Sequence, residues 1–268
     1  MLNKLRKSVQ LRSVPLISKK NLFIGIIILI FLAISFYIYN QQQKSTDLYA
    51  KVILGLEEDY FVAVPYWLAN SVKIGDRDVS PFGKVNAEVV DAESYEGGSH
   101  GKHVILLLKL NAVRDKTSNY FYKNQPLQID DWINMRLGVV NHKGYLVYIG
   151  KLPPDFGKKK LRVTIRKNSE DPFIVENLNT GSRMLNNKGK VMAEISEKSE
   201  FPAIIPSNDE SGTPKKGIEV TVNLSVDEID GLNYFGVLRK VKIGERLNLF
   251  FDKATLWDGV ITEIEEIN

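Results

Sequence analysis

Two histidines three residues apart, His100-Gly101-Lys102-His103, lie in a glycine-rich stretch and could supply two ligands to a metal ion. A zinc site needs further ligands at fixed geometry, and the corresponding polar stretch at 208–217 holds no histidine. The same segment, Gly97-Gly98-Ser99-His100-Gly101-Lys102, has the flavour of a phosphate loop. That loop requires four residues between its glycines and Ser or Thr after the lysine; here three intervene and His103 follows. The acids Asp130-Asp131 and Glu263, Glu265 and Glu266 could be paired carboxylates. Acid–base work needs a cleft that drives two pKa values apart, and adjacent residues on a strand face opposite ways. The chain has no cysteine, which excludes disulfides, thiolate metal sites and a thiol nucleophile. Neither Ser-His-Asp nor Ser-Lys chemistry has a local signature. The expectation is a protein that is not an enzyme, with no catalytic residues, no metal and no cofactor.

Binding is the chemistry left. Aromatic side chains cluster at Tyr66-Trp67, Tyr120-Phe121-Tyr122, Tyr234-Phe235 and Trp257. Core packing accounts for most of these, but an aromatic surface can also hold a ligand or a partner. The candidate interaction surface is Tyr66, Trp67 and Leu68, at one end of a domain, with Phe201, Ile204 and Ile205. The last three belong to the apolar loop Phe201-Pro202-Ala203-Ile204-Ile205-Pro206, which has no counterpart earlier in the chain.

The elements that position these residues follow from an internal echo. Gly83-Lys84-Val85-Asn86-Ala87-Glu88 returns as Gly189-Lys190-Val191-Met192-Ala193-Glu194, offset by 106 (189 − 83). Around it, Pro65 and Pro172 each open a short helical segment, ended by Gly75 and Gly181. Gly75-Asp76-Arg77 matches Gly181-Ser182-Arg183, and Val72-Lys73-Ile74-Gly75-Asp76-Arg77 recurs as Val241-Lys242-Ile243-Gly244-Glu245-Arg246. Val85, Ala87 and Val89 alternate with polar residues at the period of a half-buried strand. Residues 48–56, 60–64, 103–112, 133–140 and 145–149 read as further strands, and 161–165 matches 50–54. Duplicated halves of this kind suit small β-barrels, whose closure removes unpaired edges.

Ahead of both copies runs an uncharged stretch, 22–39, in which thirteen of eighteen residues are Leu, Ile or Phe. As a helix it spans roughly 27 Å, close to a hydrocarbon core of about 30 Å. Bulky Phe36, Tyr37, Ile38 and Tyr39 stand where a signal peptide would be cut, so the stretch reads as an uncleaved anchor. Lys4, Arg6, Lys7, Arg12, Lys19 and Lys20 precede it without an acid, leaving −2 for the rest of a chain whose net charge is +4 (4 − 6). The positive-inside rule then places the N-terminus in the cytoplasm and the remainder outside. The basic charge belongs to the tail, so no nucleic-acid-binding face is expected.

The pattern of a Pro-initiated segment, Val72-Lys73-Ile74-Gly75-Asp76, a Gly-x-Val strand and a closing hairpin resembles an uncharacterised bacterial DUF-type family of single-pass membrane proteins with an extracytoplasmic β domain. More distantly, 72–90 and the strand after it resemble the mammalian-cell-entry (MCE) domain of lipid-transport proteins. The latter resemblance implies oligomeric rings and lipid passage.

The expected fold is mainly β: an N-terminal transmembrane helix followed by two tandem small β-barrel-like domains related by internal duplication. The parts are a basic cytoplasmic tail (1–20), the transmembrane helix (21–39), a spacer (40–47), a first β domain (48–150), a linker (151–159) and a second β domain (160–268). The expected partners are the lipid bilayer, through residues 22–39, and an envelope protein or a second copy of the chain. The expected role is a membrane-anchored binding or assembly module, with MCE-like lipid transport or an envelope hydrolase as the alternatives.

Overall fold

A computed structural model describes residues 19–42, 45–55, 63–98, 101–203, 214–236 and 238–267. Helix α1 covers Lys19–Gln42, and the described side chains in it, 23–35, are exposed. Among the described residues no helix is long and apolar enough to cross a membrane. The expected basic tail lies outside the described residues except for Lys19 and Lys20, whose side chains are not described.

Two antiparallel sheets make up the rest. The first contains β1 (Ser45–Leu54), β2 (Val64–Pro65), β3 (Arg77–Val79), β4 (Val85–Glu96), β5 (Gly101–Arg114), β6 (Tyr120–Tyr122), β7 (Gln125–Pro126), β8 (Trp132–Leu137) and β9 (Val140–Gly150). Its main path is β3-β4-β5-β1-β9-β8, and β3 lies against β8, so the sheet is a nearly closed barrel. The second contains β10 (Gly157–Glu170), β11 (Arg183–Leu185), β12 (Val191–Pro202), β13 (Lys216–Ile229), β14 (Leu232–Phe235), β15 (Arg239–Lys240), β16 (Arg246–Phe250) and β17 (Thr255–Ile267). Its path, β11-β12-β13-β10-β17-β16, repeats that of the first, but it is a half-barrel. Short helices α2 (Tyr66–Asn70) and α3 (Pro172–Asn177) follow the two prolines. Several expectations shift: β10 begins at Gly157, inside the segment read as linker; Phe201 and Pro202 finish β12 rather than lying in a loop; the β8–β9 turn falls at 138–139 rather than at 141–144; and α2 and α3 end at Asn70 and Asn177, before Gly75 and Gly181.

The repeated hexapeptide is a turn and the start of a strand. Gly83 (φ 82°) and Gly189 (φ 74°) adopt left-handed backbone that a Cβ disfavours. In each turn the residue three positions earlier, Ser80 or Asn186, accepts from the glycine N–H through its carbonyl. Its side-chain oxygen accepts from the N–H of Lys84 (3.0 Å) or Lys190 (2.9 Å). Ala87 and Ala193 then point into the cores, and Glu88 and Glu194 pair across the sheet with Arg77 (3.2 Å) and Arg183 (3.0 Å).

Among the described residues a second motif occurs four times. At Gly75, Asp130, Gly181 and Gly244 the backbone is left-handed. Each of these N–H groups donates to the carbonyl of a buried or strand residue, namely Val89, Leu146, Ile195 and Ile261. The N–H of that residue donates back to the carbonyl that follows the turn residue: Asp76, Asp131, Ser182 or Glu245. The ladder register slips just beyond each strand residue, between Val89 and Asp91, between Ile195 and Glu197, and at the matching points of β9 and β17. Such bulges raise local twist and bend the sheet. The bulges also correct the repeat register: Val52 corresponds to Ile165, because each follows the slip on its strand and faces a glycine, Gly144 or Gly259, so 161–165 matches 48–52 rather than 50–54.

The copies part company at one buried position. Asp78, 2% exposed on β3, accepts from the Tyr122 hydroxyl (2.6 Å), the Lys123 ammonium (2.8 Å) and the Arg136 N–H of β8 (3.0 Å). It stitches the two edges of the first sheet. Burial alone would raise its pKa, but the three donors hold the carboxyl below its ordinary value. In the second sheet the same position, 106 residues on, is Met184, 1% exposed. That open sheet closes its core on the outer face of the first: Ile53 and Tyr95, with Ile105, Tyr145 and Val147, belong to the second core cluster. Residues 45–268 accordingly form one compact unit. Replacing Asp78 by Ala should cost about 3–5 kcal/mol, since it leaves buried donors without a partner. Urea unfolding of the full chain checks this, and a loss below about 1 kcal/mol would remove Asp78 from its place at the seam.

Candidate functional site

A cleft lies between the two sheets. On β1, Ala50 and Val52 point into the barrel, so Lys51 and Ile53 point out. The register lines up Lys51, Leu107 and Asp91 across β1, β5 and β4, and beside them Ile53, Ile105 and Glu93. The bulge at Val90 gives Asp91 and Glu93 this phase. The chain leaving β9 folds Pro154, Asp155 and Phe156 over the row, and Lys158 of β10 completes a cleft of about 290 Å³. Smaller spaces continue it towards Asp227, Tyr234 and Gly236.

Lys51 is the centre of this cleft. Its ammonium lies 4.5 Å from the centre of the Phe156 ring and 3.3 Å from the Asp227 carboxylate. The other oxygen of Asp227 takes Lys158. Phe156 is held edge-on by Tyr148, whose hydroxyl donates to the Leu152 carbonyl (2.9 Å). Burial pushes the Lys51 pKa below the usual lysine value, against the pull of Asp227. On the far wall Asp91 pairs with Lys188 (2.7 Å), and Glu93 accepts from the Asn186 amide (2.9 Å). The apolar floor and mutually paired ions suit holding a ligand or the opposite sheet. Lys51 is thus held between Asp227 and the Phe156 ring. Among the described residues no group of three His, Cys, Asp or Glu side chains could hold a metal ion.

A second, smaller space of about 80 Å³ also lies between the sheets, lined by Tyr95, His103, Phe235, Arg239, Asn248, Phe250 and Trp257 among others. Tyr95 packs on His103 (5.2 Å between ring centres), and Phe250 meets Trp257 edge to face (5.1 Å). Burial, with a smaller push from Arg239, drives the His103 pKa down to about 4.

The residues singled out by sequence are dispersed. His100 lies outside the described residues, while His103 sits in the aromatic space; the glycine-rich segment packs against it, with Trp257 beside Gly98. Asp130 takes the left-handed turn position and Asp131 accepts from the N–H of Trp132 (2.7 Å). Glu265 and Glu266 pair with Arg162 and Lys159, and Glu263 is within 3.4 Å of the Thr164 hydroxyl. Tyr66 donates to Glu96 (2.7 Å), with Lys102 over its ring at 5.9 Å. Trp67 is 67% exposed, and Leu68 packs against the first core. Phe201 belongs to the other sheet, under the Arg166 guanidinium at 4.4 Å. Ile204 and Ile205 lie outside the described residues. The Ser71 hydroxyl is 3.4 Å from His142 Nε2, but it donates to the Leu68 carbonyl (2.7 Å), so its proton is already committed. Sequence reasoning passed over Lys51; its signal is a lysine beside the outward apolar Ile53 on a strand whose inward residues are also apolar.

The two clefts differ in how they respond to acid. His103 is neutral in the fold, with a pKa below its unfolded value of 6.5. Stability from this group is therefore complete above pH 6.5 and is lost as the pH falls through about 4. The His103→Gln variant should lose less stability than the parent between pH 7 and 4, by roughly 3 kcal/mol at the limit. Denaturant curves across that range measure the difference, and parallel curves would contradict the assignment. Replacing Asp227 by Ala should destabilise by about 2–4 kcal/mol, because Lys51 is left buried without its carboxylate, whereas Lys51→Met should change stability by less than about 1 kcal/mol. Equal losses in the two variants would contradict a compensated pair.

No family model, curated protein or solved structure matches the chain.

Proposed function

We propose that this chain is a non-enzymatic binding or assembly module of a bacterial envelope complex. Residues 22–39 anchor it in the membrane, with the N-terminus in the cytoplasm and both β sheets outside. The apolar run and the basic residues ahead of it support the anchor. The observation that carries the binding reading is the inter-sheet cleft, whose charged groups are paired with one another around an apolar floor. A reaction centre keeps a group poised to gain or lose a proton; Lys51 is instead fixed by Asp227 and Phe156. Exposed Trp67, beside the Tyr66–Glu96 bond, offers a second contact point on the first sheet.

Photo-crosslinking in cells tests the reading, with p-benzoylphenylalanine in place of Trp67 or Phe156 in the full chain. The expected result is one discrete adduct to an envelope protein, or to a second copy of the chain, from at least one position. A control at Ile243, 61% exposed on the second sheet, should give none. Absence of any adduct at positions 67 and 156 would overturn the proposal.

A further inference from the structure

Among the described residues the most exposed large apolar side chain is Phe82, at 99%. It stands at the tip of the β3–β4 turn, which is held by Gly83 N–H to Ser80 O (2.9 Å), Ser80 N–H to Lys84 O (2.8 Å) and Lys84 N–H to Ser80 Oγ (3.0 Å). A single exposed ring is ordinary on a protein surface, so its meaning depends on where the turn lies.

Strand directions settle that. β1 is antiparallel to β5 and β5 to β4, with Ser45 opposite Val113 and Ala87 opposite Leu110. The start of β1, the start of β4 and the end of β5 therefore share one end of the first sheet. The end of β9 joins them, since Gly150 pairs with Tyr49. That end presents Phe82 and, just after β9, Leu152, 73% exposed. The exposed cations Lys84, Arg114, Lys116 and Lys151 lie at the same end, by the starts and ends of β4, β5 and β9. The nearby acids are engaged: Asp115 accepts from Thr117 and Asn119 within its own turn, and Asp47 pairs with Lys109 (2.9 Å). The second sheet docks elsewhere, its 186–188 turn bonding residues 91–94 in the far half of β4. The 138–139 turn, with Val139 at 90% exposure, is at the opposite end, because β8 runs antiparallel to β9.

We propose that Phe82, with Leu152 at the same end of the sheet, enters the headgroup–acyl boundary of an anionic bilayer while the four cations face the lipid phosphates. This rests on the anchored reading above: an anchor ending at residue 39 leaves five residues before Ser45, at most about 18 Å of chain. The end bearing Ser45 is then the one brought to the membrane. Aromatic rings favour that depth, and lysine and arginine are drawn to an anionic lipid surface.

The chain has no cysteine, so single cysteines can be placed at Phe82, Val139 and Ile27 without background. Each full-length variant carries an environment-sensitive NBD label in vesicles of phosphatidylcholine and phosphatidylglycerol containing a spin-labelled lipid quencher. The expected result is a blue-shifted Phe82→Cys label quenched severalfold more than the Val139→Cys label, with the Ile27→Cys label quenched as well. Omitting phosphatidylglycerol should weaken the position-82 signal severalfold, and an unchanged signal would overturn the part given to the cations. If position 27 is quenched while 82 behaves like 139, the anchor stands and the Phe82 contact is overturned. If position 27 is not quenched, the anchored reading fails and this contact fails with it.

Discussion

One carboxylate determines the difference between the two halves of this protein. Asp78 sits where the two edge strands of the first sheet, β3 and β8, meet, and one of its oxygens takes the Tyr122 phenol, the Lys123 ammonium and, from across that gap, the backbone N–H of Arg136. Strand edges with unpaired backbone groups are a liability, and closure is the complete remedy. In the second copy the corresponding side chain is a methionine, which can pack but cannot accept three hydrogen bonds. Its sheet stays open and lies on its sibling. The same backbone scheme, with its four left-handed turns and bulges, thus supports a barrel in one case and a half-barrel in the other.

The open half in turn makes the clefts. A barrel standing alone would present the outer residues of β1, β4 and β5 to water, where a lysine beside Ile53, Ile105 and Leu107 would be unremarkable. With the second sheet and the 154–156 segment over them, those apolar residues are covered, and the ions among them have to be paired. Lys51 finds Asp227, and Asp91 and Glu93 find the lysine and amide of the 186–188 turn. The polar contacts at this boundary are thus a consequence of one sheet covering another, and the cleft is what their side chains leave unfilled.

Much of the local structure could be read in the chain because it depends on neighbours in sequence. The alternation of Val85, Ala87 and Val89 predicts the strand, and the repeated glycines at 75, 83, 181, 189 and 244 all fall at left-handed turns. The fourth copy of the larger turn was hidden because Asp130 replaces glycine there; aspartate tolerates the same backbone without advertising it. Likewise, the Glu88–Arg77 and Glu194–Arg183 pairs explain why the repeat ends in glutamate, but only once the strands are side by side. What could not be read was non-local. Whether a sheet closes turns on a contact between residues 78 and 136, and Lys51 gains its meaning from residues 156 and 227. Tyr66, Trp67 and Phe201 read as one aromatic surface in the chain, but the first two lie on α2 beside the first sheet and Phe201 lies on β12 of the second.

The asymmetry of the two cores also has a temporal side. The first barrel's buried set is drawn wholly from residues 48–146. The second set includes Ile53 and Tyr95, which come from the first half of the chain. A polypeptide made from its N-terminus finishes its self-sufficient half while the other is still being synthesised, since such halves generally fold as they emerge. The earlier half is then a template, and the later half reaches its native state by templated addition to a surface already in place.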